Sequence, residues 1–220
     1  MTASGGRPRF ASVVLDVDST LSGIEGIDWL AALRGPEMAT RIADLTDRAM
    51  RGETALESVY GERLRMIAPT RREIDALAAR YVESIAPGAV ETVMALRGAG
   101  VAIALVSGGL REAIVPLARM IGADGNALSA VSVRFDERGK YVGYDERSPL
   151  ATQGGKEQVV RDLALAAPAL GVGDGATDLA MRPALAAFGA YTGFVRREPV
   201  AKAADFTIDS FAQLQELVLG

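Results

Sequence analysis

Neither cysteine nor histidine occurs in this 220-residue chain. Without cysteine there is no disulfide framework and no thiolate nucleophile, which points to a reducing, cytoplasmic setting. Without histidine, Ser–His and Cys–His nucleophiles, phosphohistidine routes and the usual zinc sites are excluded. Acid–base work must then fall to Asp, Glu, Lys or Tyr. No apolar run approaches the ~18 residues of a membrane span, so no membrane partner is expected. The polar start, Met1 to Phe10, carries no apolar core of the length a signal peptide needs. An excess of basic charge is also lacking. The formal net charge is −4, which leaves no footprint for nucleic acid. Apolar residues at 49% and charged residues at 24% describe an ordinary globular protein, long enough for one core domain carrying a smaller one.

What is present begins with Asp16-Val17-Asp18-Ser19-Thr20, directly after the apolar run Val13-Val14-Leu15. A short β-branched run reads as a buried strand, and open α/β folds place their ligands at the carboxyl ends of strands. Two aspartates so close in the chain cannot both be buried unpaired, so a cation must meet them, and Mg²⁺ suits an all-oxygen set. One carboxylate is then free to attack an electrophile held by the same metal.

From about 22 to 86 the apolar spacing is helical almost throughout. Met38, Ile42, Leu45 and Ala49 share a face, as do Leu56, Val59, Tyr60, Leu64 and Ile67, and then Ile74, Leu77, Tyr81 and Val82. Pro36 suits a first turn, and Thr54-x-x-Glu57 and Thr70-x-x-Glu73 are capping-box starts. Ser22-Gly23-Ile24-Glu25 also has the capping-box form. These residues predict a small helical cap over 22–86, inserted into a core formed by 1–21 and 87–220. From Pro87 onward helix and strand alternate. Strands are expected at 101–107, 169–173 and 186–191, with a hairpin within 128–144, helices at 88–98, 111–121, 155–165 and 177–183, and a last strand–helix pair at 205–218. The fold class is α/β, a mostly parallel Rossmann-like sheet with helices on both faces.

Four polar groups then fall at the carboxyl ends of successive strands: Asp16/Asp18, Ser107-Gly108-Gly109, Lys156 at a helix start, and Asp174 to Asp178. Carboxylates hold Mg²⁺, glycine amides at a helix N-terminus suit phosphate, and a lysine suits the transferring oxygens. Other readings of these segments fit less well. An EF-hand would need Gly at Leu21 and Glu at Ile27. A Walker loop would need Gly at Leu150 and Ser or Thr at Glu157. Gly171 to Ala176 has the form G-x-G-x-x-A, but the strand ending near Tyr191-Thr192 lacks the acidic residue a dinucleotide site requires.

Asp16-Val17-Asp18-Ser19-Thr20, Ser107-Gly108-Gly109, Lys156 and Gly173 to Asp178 together resemble the four signature motifs of the haloacid-dehalogenase superfamily. Glu25-Gly26-Ile27-Asp28, Met50-Arg51-Gly52, Glu62-Arg63-Leu64 and Gly143-Tyr144-Asp145 resemble its phosphoserine phosphatase family, from about residue 11 to the C-terminus. The chain departs from that family at Leu56, where Phe is usual, at Val131-Ser132, where Asn-Arg is usual, and at Thr177, where Asn is commoner.

The resemblance implies a small phosphorylated substrate, O-phospho-L-serine first, on a pathway to serine. Asp16 would be the nucleophile and Asp18 the acid and base. Asp16, the Asp18 backbone carbonyl and Asp174 would hold Mg²⁺. Ser107, Gly108, Gly109, Lys156 and Thr177 would meet the phosphoryl group, with Asp178 supporting them. Glu25 would face the substrate ammonium and Arg63 its carboxylate, with Met50 and Leu56 as an apolar wall. A monomer or homodimer is expected. Transfer to another alcohol such as homoserine, and a phospho-accepting signalling domain, stay open as alternatives.

Overall fold

The computed structural model describes residues 7–50 and 56–220, without the side chains of residues 47, 49, 50, 56 and 57. The expectations for the Thr54 capping box, for Arg51-Gly52 and for the Met50 and Leu56 side chains lie outside the described residues.

The chain runs β1 (Ser12–Leu15), then four helices, α1 (Gly26–Ala32), α2 (Pro36–Met50), α3 (Leu56–Ile67) and α4 (Arg71–Glu83). It continues through α5 (Ala89–Gly98), β2 (Ala102–Leu110), α6 (Arg111–Met120), β3 (Leu128–Val131), β4 (Val133–Phe135) and β5 (Tyr141–Tyr144). Then follow α7 (Gly155–Asp162), β6 (Ala169–Gly173), α8 (Ala176–Leu179), β7 (Ala187–Tyr191), α9 (Glu198–Ala203), β8 (Phe206–Ile208) and α10 (Phe211–Leu219). Six strands form one sheet in the order β3-β2-β1-β6-β7-β8, every pairing parallel, while β4 and β5 form a separate antiparallel hairpin. All residues of β1, β6 and β7 are buried, so both faces of the sheet centre are covered, as a parallel sheet requires.

The site's position follows from this topology. The chain builds outward from β1 through β2 to β3, then crosses to the other side of β1 for β6, β7 and β8. That reversal at β1 is where open α/β sheets leave a crevice at their carboxyl edge. Leu15 pairs with Leu105 of β2 and Val172 of β6, so residues 16 and 174 leave the sheet close to one level, with residue 107 beside them on β2.

The segment between β1 and α5 leaves and returns through adjacent strands of backbone. Ala86 N donates to Leu21 O at 2.9 Å and Gly23 N to Ser84 O at 2.9 Å. Helix α4 begins with the expected capping box. The Thr70 hydroxyl accepts from Glu73 N, and the Glu73 carboxylate accepts from Thr70 N at 2.7 Å. Arg34 adds a bidentate pair to Glu73 at 2.5 and 2.8 Å, tying the loop after α1 to α4. The Arg34 hydrogen bond, helped by Thr70, holds the Glu73 carboxyl down at about 2. A depressed carboxyl stabilises the fold above its unfolded value of 4.5, and the contribution is lost as pH falls toward about 2. Glu73→Ala is expected to cost about 1–2 kcal/mol at pH 7, a melting point lower by about 2–8 °C. The gap between the two proteins should close on acidification through that window. Equal melting points at pH 7 would contradict the assignment.

Three local expectations are corrected. The Ser22 hydroxyl donates to Tyr81 O at 3.0 Å instead of capping α1, and Glu25 at the N-cap makes no capping bond. Strand β2 runs through Leu110, with a break in its pairing to β3 between Val106 and Leu110. Gly108 and Gly109 therefore belong to an irregular strand end, not to the first turn of α6. Helix α8 stops at Leu179, and the short helix α9 was not expected. Six residues, Glu-Pro-Val-Ala-Lys-Ala, are too few to show a period.

Candidate active site

Asp16, at the end of β1, accepts from Lys156 Nζ at 2.5 Å through Oδ1, and the same ammonium donates to Asp178 Oδ1. All three groups are buried. Lys156 reaches them from the first turn of α7, and Asp178 from α8, where its second oxygen accepts from Gly175 N at 2.8 Å. Asp174, at the end of β6, pairs with Arg197 Nε at 2.8 Å. Carboxylate oxygens of Asp16, Asp174 and Asp178 all lie within 4.8 Å of one another.

The electrostatics of this cluster call for a cation. Burial, followed by the charge of Asp178, pushes the Asp16 carboxyl up despite its lysine partner. Burial and Asp178 also raise Asp174, against the pull of Arg197. For Lys156, burial works against the charge, but Asp16 and Asp178 outweigh it and raise its pKa. The three carboxylates thus outnumber the two cations that touch them. An all-oxygen donor set fits a hard divalent ion such as Mg²⁺ and disfavours softer metals.

Asp18 turns its side chain away from this cluster. Its Oδ1 accepts from Tyr81 Oη at 2.7 Å and from Gly26 N at 2.7 Å, and its Oδ2 from Ser107 Oγ at 3.1 Å. Ser107 Oγ in turn accepts from Gly109 N at 2.9 Å. Ser19, in a left-handed conformation at φ 52°, donates its hydroxyl to Glu25 Oε1 at 2.7 Å. Arg197 Nη2 stands 3.6 Å from the same oxygen. Withdrawal from solvent at the cleft, and then the charge of Asp18, push the Glu25 carboxyl up to about 7, opposed by the Ser19 hydrogen bond.

Arg63 is buried, with its Nη1 donating to Thr46 Oγ1 at 3.0 Å and its guanidinium 5.7 Å from the Tyr60 ring centroid. Its Nε–H has no partner among the described residues. Burial lowers its pKa, while Tyr60, Asp28, Glu25 and Asp18 favour the charge. Tyr60 Oη donates to Gly108 O at 2.8 Å. Thr177 lies in the first turn of α8 beside Asp178.

The structure thus brings together Asp16, Lys156, Asp174 and Asp178 in one group, and Asp18, Ser107 and Gly109 in a second beside it. Sequence reasoning missed Arg197, although it follows β7, the next strand along the same edge. It also placed Tyr60 and Tyr81 only in an apolar stripe. Nothing in that stripe distinguishes a phenol that ends on a backbone carbonyl or a carboxylate from one that ends in the core.

Residues 13–182 match the haloacid dehalogenase-like hydrolase family. The chain is 34% identical over 206 residues to a protein from Homo sapiens named phosphoserine phosphatase, covering 92% of this chain and 91% of that one. A chloroplastic phosphoserine phosphatase from Arabidopsis thaliana is 35% identical over 208 residues, covering 92% of this chain and 70% of its own length. The crystal structure of a phosphoserine phosphohydrolase-like protein from Francisella tularensis shares the fold with a TM-score of 0.82 at 24% identity, over 94% of this chain and 98% of that one. With the fold and both polar groups in place, this chain belongs to the haloacid dehalogenase-like hydrolases, in the phosphoserine phosphatase family.

Proposed function

We propose that this chain is a Mg²⁺-dependent phosphomonoesterase that hydrolyses O-phospho-L-serine through an aspartyl-phosphate, a reaction that serves serine synthesis. The observation that carries the reading is the buried Asp16–Lys156–Asp178 triad with Asp174 at the reversal point of the sheet. Asp16, Asp174, Asp178 and the Asp18 backbone carbonyl would hold Mg²⁺. When bound, the ion supplies charge neutralisation at the phosphoryl group.

The chain's own residues do the rest. Asp16 attacks phosphorus, splitting one hard hydrolysis into two easier steps. Lys156, anchored by Asp178, keeps a compact positive charge beside the nucleophile, where the equatorial oxygens gather charge. The Ser107 hydroxyl and the amides of the Gly108–Gly109 strand end meet those oxygens, with Thr177 at the rim. Asp18 protonates the leaving oxygen and then takes a proton from water. Residues 22–86 act as a cap that excludes bulk water during both steps.

For the substrate's amino-acid part, Glu25 faces Arg197 at 3.6 Å, beyond hydrogen-bond reach, and suits a closer ammonium. Arg63 has a buried donor to spare and suits a carboxylate. Met50 would add apolar contact. The test is Mg²⁺-dependent phosphate release from O-phospho-L-serine, expected to stop when the metal is chelated; no release would overturn the reading. Arg63→Ala is expected to raise KM for O-phospho-L-serine about 10–100-fold, as loss of a charge-assisted contact does. KM for p-nitrophenyl phosphate, which has no carboxylate, should change by less than about threefold. Equal changes would remove the zwitterion pocket.

A further inference from the structure

We infer that Tyr81 is a positioning residue for proton transfer. It pins Oδ1 of Asp18, so that Oδ2 alone carries the proton to the leaving oxygen. The inference rests on the reading of Asp18 as the acid.

Tyr81 lies on α4, 63 residues from Asp18 in the chain, and is fully buried. Its hydroxyl donates to Asp18 Oδ1 at 2.7 Å. Gly26 N approaches the same oxygen at 2.7 Å from the start of α1. The absence of a side chain at residue 26 is part of the arrangement, because a Cβ there would stand 2.1 Å from the Tyr81 hydroxyl. Oδ2 points the other way. It accepts the single, longer hydrogen bond of the Ser107 hydroxyl at 3.1 Å and lies 2.8 Å from where a Cβ at Gly109 would be, on the side of the phosphoryl-binding strand end.

A carboxylic acid has two oxygens and one proton, and the oxygen already receiving two donors cannot comfortably carry it. With Tyr81 O–H and Gly26 N–H both aimed at Oδ1, the proton is confined to Oδ2. As an Asp16 oxygen bonds to phosphorus, the bond from phosphorus to the leaving oxygen breaks and its electron pair stays on that oxygen. The Oδ2 proton moves there, and Asp18 is left as a carboxylate whose Oδ1 keeps both donors.

Two small substrates separate this role from a structural one. Ethyl phosphate must have its leaving oxygen protonated, whereas acetyl phosphate of similar size releases acetate without a proton. Neither carries the groups that Glu25 and Arg63 would read. kcat/KM covers only the steps up to phosphorylation of Asp16, so the later work of Asp18 as a base does not enter. In the Mg²⁺-loaded enzyme, Tyr81→Phe is expected to lower kcat/KM for ethyl phosphate about 10–100-fold and for acetyl phosphate less than about threefold.

Equal losses on both substrates, or no loss on either, would overturn the inference. If Tyr81→Phe does not fold, Gly26→Ala displaces the hydroxyl without deleting it and should give the same selective loss. Asp18→Asn distinguishes the two levels. A selective loss there with none in Tyr81→Phe refutes the role of Tyr81 alone, while equal losses there refute Asp18 as the acid.

Discussion

Asp16→Asn is expected to lower turnover of O-phospho-L-serine by about 10⁴–10⁶-fold, the scale seen when a covalent nucleophile is removed. Asparagine keeps the shape but cannot form the acyl phosphate. The variant should also fail to trap a phosphate or beryllofluoride adduct on the protein. Its stability should move the opposite way. Asp16 sits in a buried cluster where burial and Asp178 already disfavour its charge, and Lys156 keeps Asp178 as a partner when that charge is removed. The metal-free variant is therefore expected to melt at or above the temperature of the parent, the usual trade between a charged site and a stable one. Added Mg²⁺ should raise the melting point of the parent more than that of the variant, since stabilisation follows affinity for the folded state. Calorimetric melts with and without Mg²⁺, beside a phosphate-release assay, check all of this. Turnover within tenfold of the parent would remove the aspartyl-phosphate from the proposal.

Lys156→Met should have the second largest effect, and here activity and stability fall together. The ammonium is the group that touches both Asp16 and Asp178, and all three side chains are almost wholly buried. A methionine of similar length leaves two buried carboxylates facing one another without it. Breaking a buried pair by removing one partner costs about 3–5 kcal/mol, because the charge left behind is uncompensated. For a chain of this size that is a melting point lower by about 6–20 °C in the metal-free protein. Mg²⁺ should recover part of the loss, since Asp16 and Asp178 both belong to the metal-competent cluster. Turnover should not recover with it. The variant lacks the fixed positive charge beside the transferring oxygens, and loss of one such group costs about 10²–10³-fold. A melting curve unchanged by the substitution would show that the triad does not hold the site together.

Much of this protein was legible along the chain, for a physical reason that differs from element to element. The parallel core was visible because short apolar runs such as 12–15 and 169–173 are separated by stretches of helical period, and parallel strands are joined only through crossovers. The capping box at Thr70 was visible because it is a contact between neighbours in sequence, and the structure has it. The similar pattern at Ser22 did not become a cap, because the backbone carbonyl of Tyr81, 59 residues away, takes the Ser22 hydroxyl instead. Tertiary context overrode a local preference of about 1 kcal/mol. The glycines at 108 and 109 were read as a helix start, but the strand beside β1 continues past them.

The sequence by itself bounded the chemistry. A chain with no cysteine and no histidine must do its acid–base work with Asp, Glu, Lys or Tyr, and the resemblance of the motifs at 16–20, 107–109, 156 and 173–178 implied that this work is done at phosphorus. Residue types set which bonds can form, and types are read directly from the chain. The tertiary structure decided how those groups are aimed. It alone put Arg197 on Asp174, Tyr60 on Gly108 O, and Tyr81 and Gly26 on one oxygen of Asp18. The Tyr81 and Arg197 side-chain contacts span 63 and 23 residues of chain, and no local periodicity encodes which acceptor lies at the end of a buried side chain. That is fixed only when strands pair in register and helices pack against them.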